Sequence, residues 1–261
     1  MKHMVENGNG ISKLLEDIKQ KAWFRLQHRL DLLEETLLAE PLGVAEALGD
    51  PAPYKDFALQ RGEEKLMEVT IRGAIGQAFT SNPSRWRGKL REIFELNLTL
   101  EKNRALFVAS INAAGRLLQW GNNTIHCKDQ EPDRCAYRMA EFVAAKLEPT
   151  GCVGIVGYQP AIVKHMVDLL GSYRVRVTDL NPQNIGKDNF NVTILDGSSS
   201  IQRLAQECRI GLVTGSTLIN GTLDSILSLF KDNGVESYLY GTTAAIPAAL
   251  LGLERLCFEA K

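Results

Sequence analysis

The chain has 261 residues, of which 44% are hydrophobic and 23% are charged, and its formal net charge is −1. This composition is ordinary for a globular protein, and its balanced charge provides no overall attraction to nucleic acid or to an anionic membrane. The opening residues, MKHMVENGNG, lack the apolar stretch of a signal peptide, and no apolar run is long enough to span a membrane. We therefore expect a cytoplasmic protein without nucleic-acid or membrane partners, whose length suits two modest domains.

The first predicted element is an amphipathic helical extension over residues 1–40. Apolar residues recur at helical spacing from Ile11 to Leu38, and Pro41 stops the pattern. One long helix or two shorter ones would satisfy it. The wide apolar stripe must pack on this chain's own core or on a second subunit, so a homodimer is one alternative.

Residues 41–148 are predicted to form a small α+β domain. Its strand-like segments are 57–59, Leu66–Ile71 and Ala74–Phe79. A helical pattern then covers Glu101–Gln119, and Pro132 is well placed to open a second helix. Strands followed by helices, rather than alternating with them, are typical of an α+β domain.

Residues 149–261 are predicted to form a Rossmann-like domain. Short apolar strands alternate there with helical segments, which indicates a parallel sheet covered on both faces. The predicted strands are 152–157, 174–179, 192–196, 208–215, 237–241 and 254–260. The fold class is therefore α/β, with a Rossmann-like domain preceded by a smaller α+β domain.

Ligands of such sheets bind outside the carboxyl ends of the strands, which selects the loops that follow them. The first loop contains Gly157, Tyr158 and Pro160, but it lacks the third glycine of G-x-G-x-x-G, and Pro160 removes a backbone donor. Asp179 ends the second strand 22 positions after Gly157, where nucleotide-binding domains place a ribose-binding acid. A role in a turn or cap is the equal alternative for Asp179.

The loop TGSTLINGT, residues 214–222, follows the fourth predicted strand. Its glycines let backbone N–H groups converge, and its hydroxyl and amide groups add hydrogen-bond donors, which favours a small anionic ligand such as a carboxylate or phosphate. The loop after the next strand has the same small, polar character. The candidate binding residues in these two loops are Thr214, Gly215, Ser216, Asn220 and Thr243.

Candidate metal ligands lie in the other half of the chain. His126 and Cys127 occupy a polar loop, and Cys135 lies just beyond it. Imidazole and thiolate suit zinc and softer metals, so a transition or heavy metal is a candidate cofactor. The spacing is not that of a zinc finger, and incidental loop positions, or a reactive thiolate at Cys135, remain alternatives.

Two other predictions concern buried groups. Asn112 is an amide at an inward-facing position of an apolar helix, where it either bridges locally or points into a site between the domains. The three remaining cysteines, Cys152, Cys208 and Cys257, lie in or beside predicted strands and are expected to be buried as small hydrophobic residues.

The motifs G-x-x-G-Y-x-P, TGSTLINGT and GTTAAIPAALL resemble those of a family of proteins of unknown function named for heavy-metal chelation. The segments GEEKLMEVTIRGAIGQAFT, SINAAG and IHCKDQEPDRCA are similar to the domain that precedes it in that family. The resemblance covers residues 40–261. It implies an enolase N-terminal-like domain ahead of the Rossmann-like domain, with a site in the cleft between them, and no enolase chemistry.

Among the residues that match these motifs, the resemblance places its site at Asn112, His126, Cys127, Gly157, Tyr158, Pro160, Asp179, Thr214, Ser216, Asn220 and Thr243. Three hypotheses follow. The first is a small-ligand binding protein or enzyme that handles a heavy metal or a metal chelate. The second is a methyltransferase-like or nucleotide-dependent Rossmann enzyme. The third is a non-enzymatic dimeric binding or scaffold protein. No motif of a nucleophile and its base specifies a reaction.

Overall fold

The computed structural model describes residues 12–50, 54, 57, 60 and 64–261. The predicted strand over residues 57–59 lies outside the described residues, apart from Phe57. The N-terminal half contains α1 (Lys13–Leu26), α2 (Leu30–Leu33), β1 (Thr36–Leu42), α3 (Val44–Leu48), β2 (Lys65–Ile71), β3 (Ala74–Thr80), β4 (Trp86–Lys89), a 3-10 helix (Leu90–Glu95), α4 (Glu101–Leu117) and α5 (Glu131–Lys146).

The C-terminal half alternates strands and helices, as its sequence pattern predicts. Its elements are β5 (Val153–Val156), α6 (Pro160–Leu170), a 3-10 helix (Ser172–Arg174), β6 (Val175–Asp179), β7 (Asp188–Asn189), β8 (Val192–Asp196), α7 (Ile201–Glu207), β9 (Ile210–Thr214), α8 (Ser216–Asn220), α9 (Leu223–Asp232), β10 (Glu236–Tyr240), a 3-10 helix (Thr242–Ala244), α10 (Ala245–Leu251) and β11 (Arg255–Leu256). No helix within the described ranges is long and apolar enough to cross a membrane.

Two sheets organise these elements. The N-terminal sheet has the order β3-β2-β1-β4, and its neighbouring strands are antiparallel. The C-terminal sheet has the order β11-β10-β9-β5-β6-β8-β7 and is parallel except for the β7–β8 pair. The α/β fold class is confirmed. From β8 to β11 the parallel strands follow the doubly wound order, which reverses direction between β5 and β9.

The helical pattern predicted as far as Leu38 is wrong at its end. Residues from Thr36 form β1, where Leu37 and Ala39 are buried while Thr36 and Leu38 are exposed. This alternation is that of a strand with one buried face, and pairing with both β2 and β4 stabilises it. The boundary predicted at residue 40 falls inside this strand.

Helix α1 packs on the C-terminal half of the chain. Leu15, Ile18, Ala22 and Leu26 are fully buried and face α9 and α10. Asp224 on α9 fixes the start of α1, because its carboxylate accepts hydrogen bonds from the hydroxyl of Ser12 and from the backbone N–H of Leu14. The predicted apolar stripe is thus covered by this chain's own core.

Two hydrophobic clusters lie on opposite faces of the parallel sheet, and both include residues of the N-terminal half. One contains Phe107 of α4 together with Phe230 and Ile246 of the C-terminal half. The other contains Leu66 of β2 together with Tyr240 of β10. The halves therefore share their cores, and the carboxyl edge of the parallel sheet lies against β3 and α4.

Candidate functional site

The carboxyl ends of β6, β5, β9, β10 and β11 follow one another along a single edge of the parallel sheet. The point where the strand order reverses lies between β5 and β9, and it is there that open α/β sheets bind ligands. We call the five residues around this point the switch-point region; they are Gly157, Asp179, Thr214, Tyr240 and Thr243. Gly157, Asp179 and Thr214 are partly accessible to solvent.

Gly157 makes the tight turn after β5. Its φ is +93°, and a Cβ atom there would lie 2.7 Å from Cγ2 of Thr214. Both the left-handed conformation and the close approach require glycine. The carbonyl oxygen of Gly157 accepts a hydrogen bond of 2.7 Å from the phenol of Tyr240, so the turns after β5, β9 and β10 are in direct contact.

Asp179 holds the first two turns together. One carboxylate oxygen accepts a hydrogen bond of 2.6 Å from the backbone N–H of Tyr158, and the other accepts one of 2.7 Å from the N–H of Asn181. The N–H of Gly157 donates to the carbonyl of Thr178, and Pro160 begins α6 without an N–H. The backbone N–H groups of Gly157 and Tyr158, which a nucleotide-binding turn would offer to a diphosphate, are thus bonded within the protein, which weighs against the nucleotide-dependent alternative.

The segment predicted as the loop TGSTLINGT contains a short helix, α8. The hydroxyl of Thr217 donates to the carbonyl of Thr214, and Gly221 ends the helix in a left-handed conformation. Asn220 lies at the far end of α8, where its side chain accepts hydrogen bonds from the N–H and hydroxyl of Thr222. Asn220 is therefore separated from Gly157, whereas Thr214 and Ser216 lie beside the switch point.

The turn after β10 packs tightly on the turn after β9 and on β3. A Cβ atom at Gly215 would lie 2.7 Å from the backbone nitrogen of Ala244. The hydroxyl of Thr243 accepts a hydrogen bond of 3.0 Å from the N–H of Phe79. The hydroxyl of Thr242, which is fully buried, has no hydrogen-bond partner. This turn is where the two halves of the chain meet.

Asn112 on α4 fixes this junction. Its amide NH₂ lies 2.9 Å from the carbonyl of Gln77 and 3.3 and 3.2 Å from the carbonyls of Thr242 and Thr243, and its amide oxygen accepts from the N–H of Ile246. The side chain is fully buried and its polar atoms are bonded within the protein. Asn112 therefore joins the two halves of the chain through bonds to segments that are distant in the sequence, rather than through the local bridge that was one of the predicted alternatives.

Tyr240 is a central residue that the sequence patterns did not single out. Burial raises the pKa of its phenol, and the negative charges of Asp179 and Glu64 raise it further, while a hydrogen bond with Thr214 acts in the opposite sense. Glu64 immediately precedes β2, so the N-terminal half also contributes a carboxylate to this edge. Tyr240 is the last residue of an apolar strand, and an aromatic residue at such a position usually belongs to the hydrophobic core. The sequence therefore gives no signal of its role.

His126 lies close to the switch-point region, behind Phe79. The two rings meet edge to face with their centroids 5.1 Å apart, and the N–H of His126 donates to the side chain of Gln77. Nδ1 lies 3.4 Å from the carbonyl of Ala47. Burial lowers the pKa of the imidazole to about 4, so the ring is neutral near pH 7.

Three cysteines form what we call the thiol cluster: Cys127, Cys135 and Cys257. Cys257 directly follows β11, so the cluster lies on the same sheet edge as the switch-point region. The thiols of Cys135 and Cys257 are hydrogen-bonded to each other, and this bond raises the pKa of Cys135 and lowers that of Cys257. Burial raises the pKa of Cys127. Cys257 was predicted as a plain core residue, and its contact with Cys135 had no signal in the sequence.

The three predicted metal ligands, His126, Cys127 and Cys135, do not assemble into one centre. Within the described ranges, no group of three or more His, Cys, Asp or Glu side chains has the arrangement of a metal site. Two cavities of about 460 Å³ lie away from the switch-point region. One lies between β6, β8 and α7 and includes Tyr173 and Arg203, and the other includes Arg116 and Lys261.

Comparison with known proteins agrees with the resemblance seen in the motifs. Residues 141–254 match the model of the DUF364 family, which is described as "Putative heavy-metal chelation". A protein of unknown function from this family in Pyrococcus horikoshii superimposes with a TM-score of 0.53 at 19% identity, over 93% of this chain and 84% of that one. At that identity the likeness concerns the fold alone.

A second solved structure, a DUF364 protein of unknown function from Desulfitobacterium hafniense, gives a TM-score of 0.49 at 13% identity, over 89% of this chain and 83% of that one. A comparison with curated proteins gave no match. The chain thus matches the DUF364 family over residues 141–254, and it shares its overall fold with the family member from Pyrococcus horikoshii.

Proposed function

We propose that this protein binds a small metal chelate at the switch-point region. The observation that carries the proposal is that polar groups from several turns converge on one phenol. Tyr240 contacts Gly157 and Thr214, and the carboxylates of Asp179 and Glu64 interact with it electrostatically. Ligand-binding sites of open α/β sheets combine a reversal of strand order with a few convergent polar groups, and both occur here.

The charge of the region favours a cationic ligand. Asp179 and Glu64 are carboxylates that act together on Tyr240, so they create a negative potential at this edge. Hydroxyl and carboxylate oxygens would hydrogen-bond to the N–H groups of an amine-ligated metal. This is a change from the anionic ligand that the loop TGSTLINGT predicts, since several backbone N–H groups at this edge already bond within the protein. The family description, heavy-metal chelation, agrees with a metal-containing ligand.

A metal ion in such a ligand would be held mainly by its own chelator. This fits the described residues, which supply oxygen groups around Tyr240 but no cluster with the arrangement of a metal site. The protein residues would bind and orient the chelate, with Asp179 as the principal contact and the buried Tyr240 holding the surrounding turns in position. We also place the protein in the cytoplasm, because its five cysteines are free thiols and reducing compartments favour that state.

Isothermal titration with an exchange-inert pair of complexes tests the proposal. The cationic probe is tris(ethylenediamine)cobalt(III), and the anionic probe of similar shape is tris(oxalato)cobalt(III). We expect the cationic complex to bind with one-to-one stoichiometry and Asp179→Asn to weaken it at least about tenfold, as for loss of a charge-assisted hydrogen bond. Asp188→Asn, at a carboxylate outside the region, is the control. Binding of the anionic complex alone, or of neither, would refute the proposal.

A further inference from the structure

The thiol cluster is fixed by backbone pairing between two distant segments. Ile125 and Lys261 exchange hydrogen bonds of 2.8 and 3.0 Å between their N–H and carbonyl groups, so the loop before α5 runs beside the C-terminal segment. The side-chain amide of Asn123 donates to the carbonyl of Cys257 at 3.0 Å. These bonds hold the segments that carry Cys127 and Cys257 side by side, although 130 residues separate the two cysteines in the sequence.

Within the cluster, the sulfur of Cys135 lies against the backbone beside Cys257. The N–H of Phe258, the residue after Cys257, donates to the sulfur of Cys135 at 3.3 Å. Cys127 is close enough to both for their charges to interact. Cys127 and Cys135 are only 6% and 7% exposed, whereas Cys257 is partly exposed, so the cluster is largely shielded from water and open to solvent at Cys257.

We propose that Cys135 and Cys257 form a binding site for a soft metal ion of the Cu(I) class, with Cys127 as a neighbouring third thiol. Thiolates select Cu(I), whereas structural zinc requires four ligands in a tetrahedron. Two cysteines on neighbouring backbone segments fit an ion of low coordination number, and the described residues offer no larger group of ligands. On binding, each thiol forms a sulfur–copper bond and releases its proton to solvent, with no change of oxidation state.

The complex of two thiolates and one Cu(I) carries one net negative charge. Nearby charged groups therefore stabilise or destabilise it. The guanidinium of Arg255 acts favourably on Cys257, and the ammonium of Lys261 interacts with Cys127. Glu131 and Glu259 act in the opposite sense on Cys127. Arg255 thus provides a favourable positive charge beside Cys257, whereas Cys127 faces two carboxylates, so we take the Cys135–Cys257 pair as the primary site.

This site is separate from the one proposed for the chelate. Its ligands are sulfurs at the end of β11, and they need neither Asp179 nor Tyr240. An exchange-inert cobalt complex cannot transfer its metal to thiols, so the cobalt and copper titrations succeed or fail independently.

The test is a titration of the fully reduced protein with Cu(I) under anaerobic conditions, in competition with a chromogenic Cu(I) chelator. We expect one equivalent to bind, with affinity reduced by at least about 100-fold in Cys135→Ser and in Cys257→Ser, since loss of a ligand should exceed the 10–100-fold cost of losing an outer-shell partner. Cys127→Ser should cost less, about tenfold. The matched control is Cys152→Ser, which removes a thiol at the opposite edge of the sheet and should leave the affinity unchanged.

A second measurement keeps the test valid if a serine variant fails to fold. In the wild-type protein, one equivalent of Cu(I) should protect Cys135 and Cys257 from alkylation, as read by peptide mass spectrometry after unfolding in the labelling mixture, and leave Cys152 and Cys208 unprotected. The proposal is overturned if no equivalent binds, if Cys152→Ser reduces the affinity as much as Cys257→Ser does, or if the protection falls on Cys152 and Cys208.

Discussion

The switch-point region and the thiol cluster share one edge of the parallel sheet, but their polar atoms are bonded differently. At the switch point, Asp179, Tyr240 and Thr243 each bond to the backbone of a neighbouring turn or strand. In the thiol cluster, the sulfur of Cys135 accepts a backbone N–H as well, that of Phe258, but its neighbouring side chain is a second thiol, Cys257. The first region is therefore a set of hard oxygen groups that hold turns in place, and the second is a pair of soft donors that a metal ion can bridge.

This difference separates two ways of handling a metal. Oxygen groups that are already fixed by the fold can recognise a preformed chelate from outside, at little cost in ordering. Adjacent thiols can bind the bare ion but must first lose their protons. If both proposals hold, one sheet edge recognises metal in two chemical forms. Substitutions in and around the two regions test how far they depend on each other and on the fold.

The largest effect is expected where the N-terminal half supports the switch point. Asn112→Ala leaves the N–H of Ile246 and the carbonyl of Gln77 without their buried partner, so we expect the free energy of unfolding to fall by about 4 kcal/mol in urea denaturation. The control, Asn103→Ala on the same helix, removes one exposed bond to the carbonyl of Asn97 and should cost about 1 kcal/mol or less. Equal losses would mean that Asn112 does not join the halves.

Gly157→Ala addresses the switch point itself. The substitution adds a left-handed alanine and a clash with Thr214, and we expect a cost of about 3 kcal/mol in thermal or urea unfolding. Gly221→Ala is matched in φ, at +81°, but a Cβ atom there meets nothing within 4 Å, so the strain alone should cost about 1 kcal/mol. If both variants lose the same stability, the close approach of the turns after β5 and β9 does not contribute to the free energy of unfolding.

His126 lies between the two regions, and it gives a pH signature. Its folded pKa of about 4 is below the ordinary value of 6.5, so the unfolded chain binds more protons between these values. Stability from this group is complete above pH 6.5 and is lost as the pH falls towards 4, by about 2 kcal/mol between pH 7 and pH 4.5. Comparing urea unfolding of wild type and His126→Asn at pH 7 and pH 4.5, with chelator present, isolates this loss. His28→Asn, at an exposed position, should lose as much stability between the two pH values as the wild type does. The same loss in His126→Asn would show that His126 is not the source of the pH dependence.

The smallest effect on stability is expected for Tyr240→Phe, about 1 kcal/mol for the hydroxyl that donates to the carbonyls of Val156 and Gly157. Tyr238→Phe removes a phenol two residues earlier in the same strand, which bonds Lys146 and Glu236, and should cost a similar amount. The two variants should differ in binding: only Tyr240→Phe should weaken the cationic cobalt complex in calorimetry. Equal weakening by both would remove Tyr240 from the proposed site.

Much of this edge could be predicted from the sequence. The alternation of strands and helices predicts a doubly wound sheet, with a glycine turn after its first strand and an aspartate at the end of its second. Because parallel strands end at one edge, this pattern places Gly157, Asp179 and Thr214 together. Asn112 was recognisable as an amide on an apolar helix face. Gly76 on β3 allows α4 to approach closely enough for Asn112 to reach Gln77, since a Cβ atom there would lie 2.1 Å from the nitrogen of Ala113.

Other features depend on contacts that no local pattern encodes. The pairing of Cys135 with Cys257 depends on the C-terminal segment folding back along residues 123–127. Strand β1 was obscured because its leucines continue the spacing of the preceding helix. Helix α8 was obscured because its hydroxyl and amide residues are more typical of turns, yet Leu218 and Ile219 bury its apolar side.

The most direct test of the chelate proposal is a crystal structure of the protein soaked with tris(ethylenediamine)cobalt(III), with data collected at the cobalt absorption edge. The anomalous signal gives the position of the metal without reference to any variant. We predict a peak beside Asp179 and Thr214, with amine groups within hydrogen-bond distance of the Asp179 carboxylate. A crystal that shows no cobalt peak there, or one only at scattered surface carboxylates, would contradict the proposal.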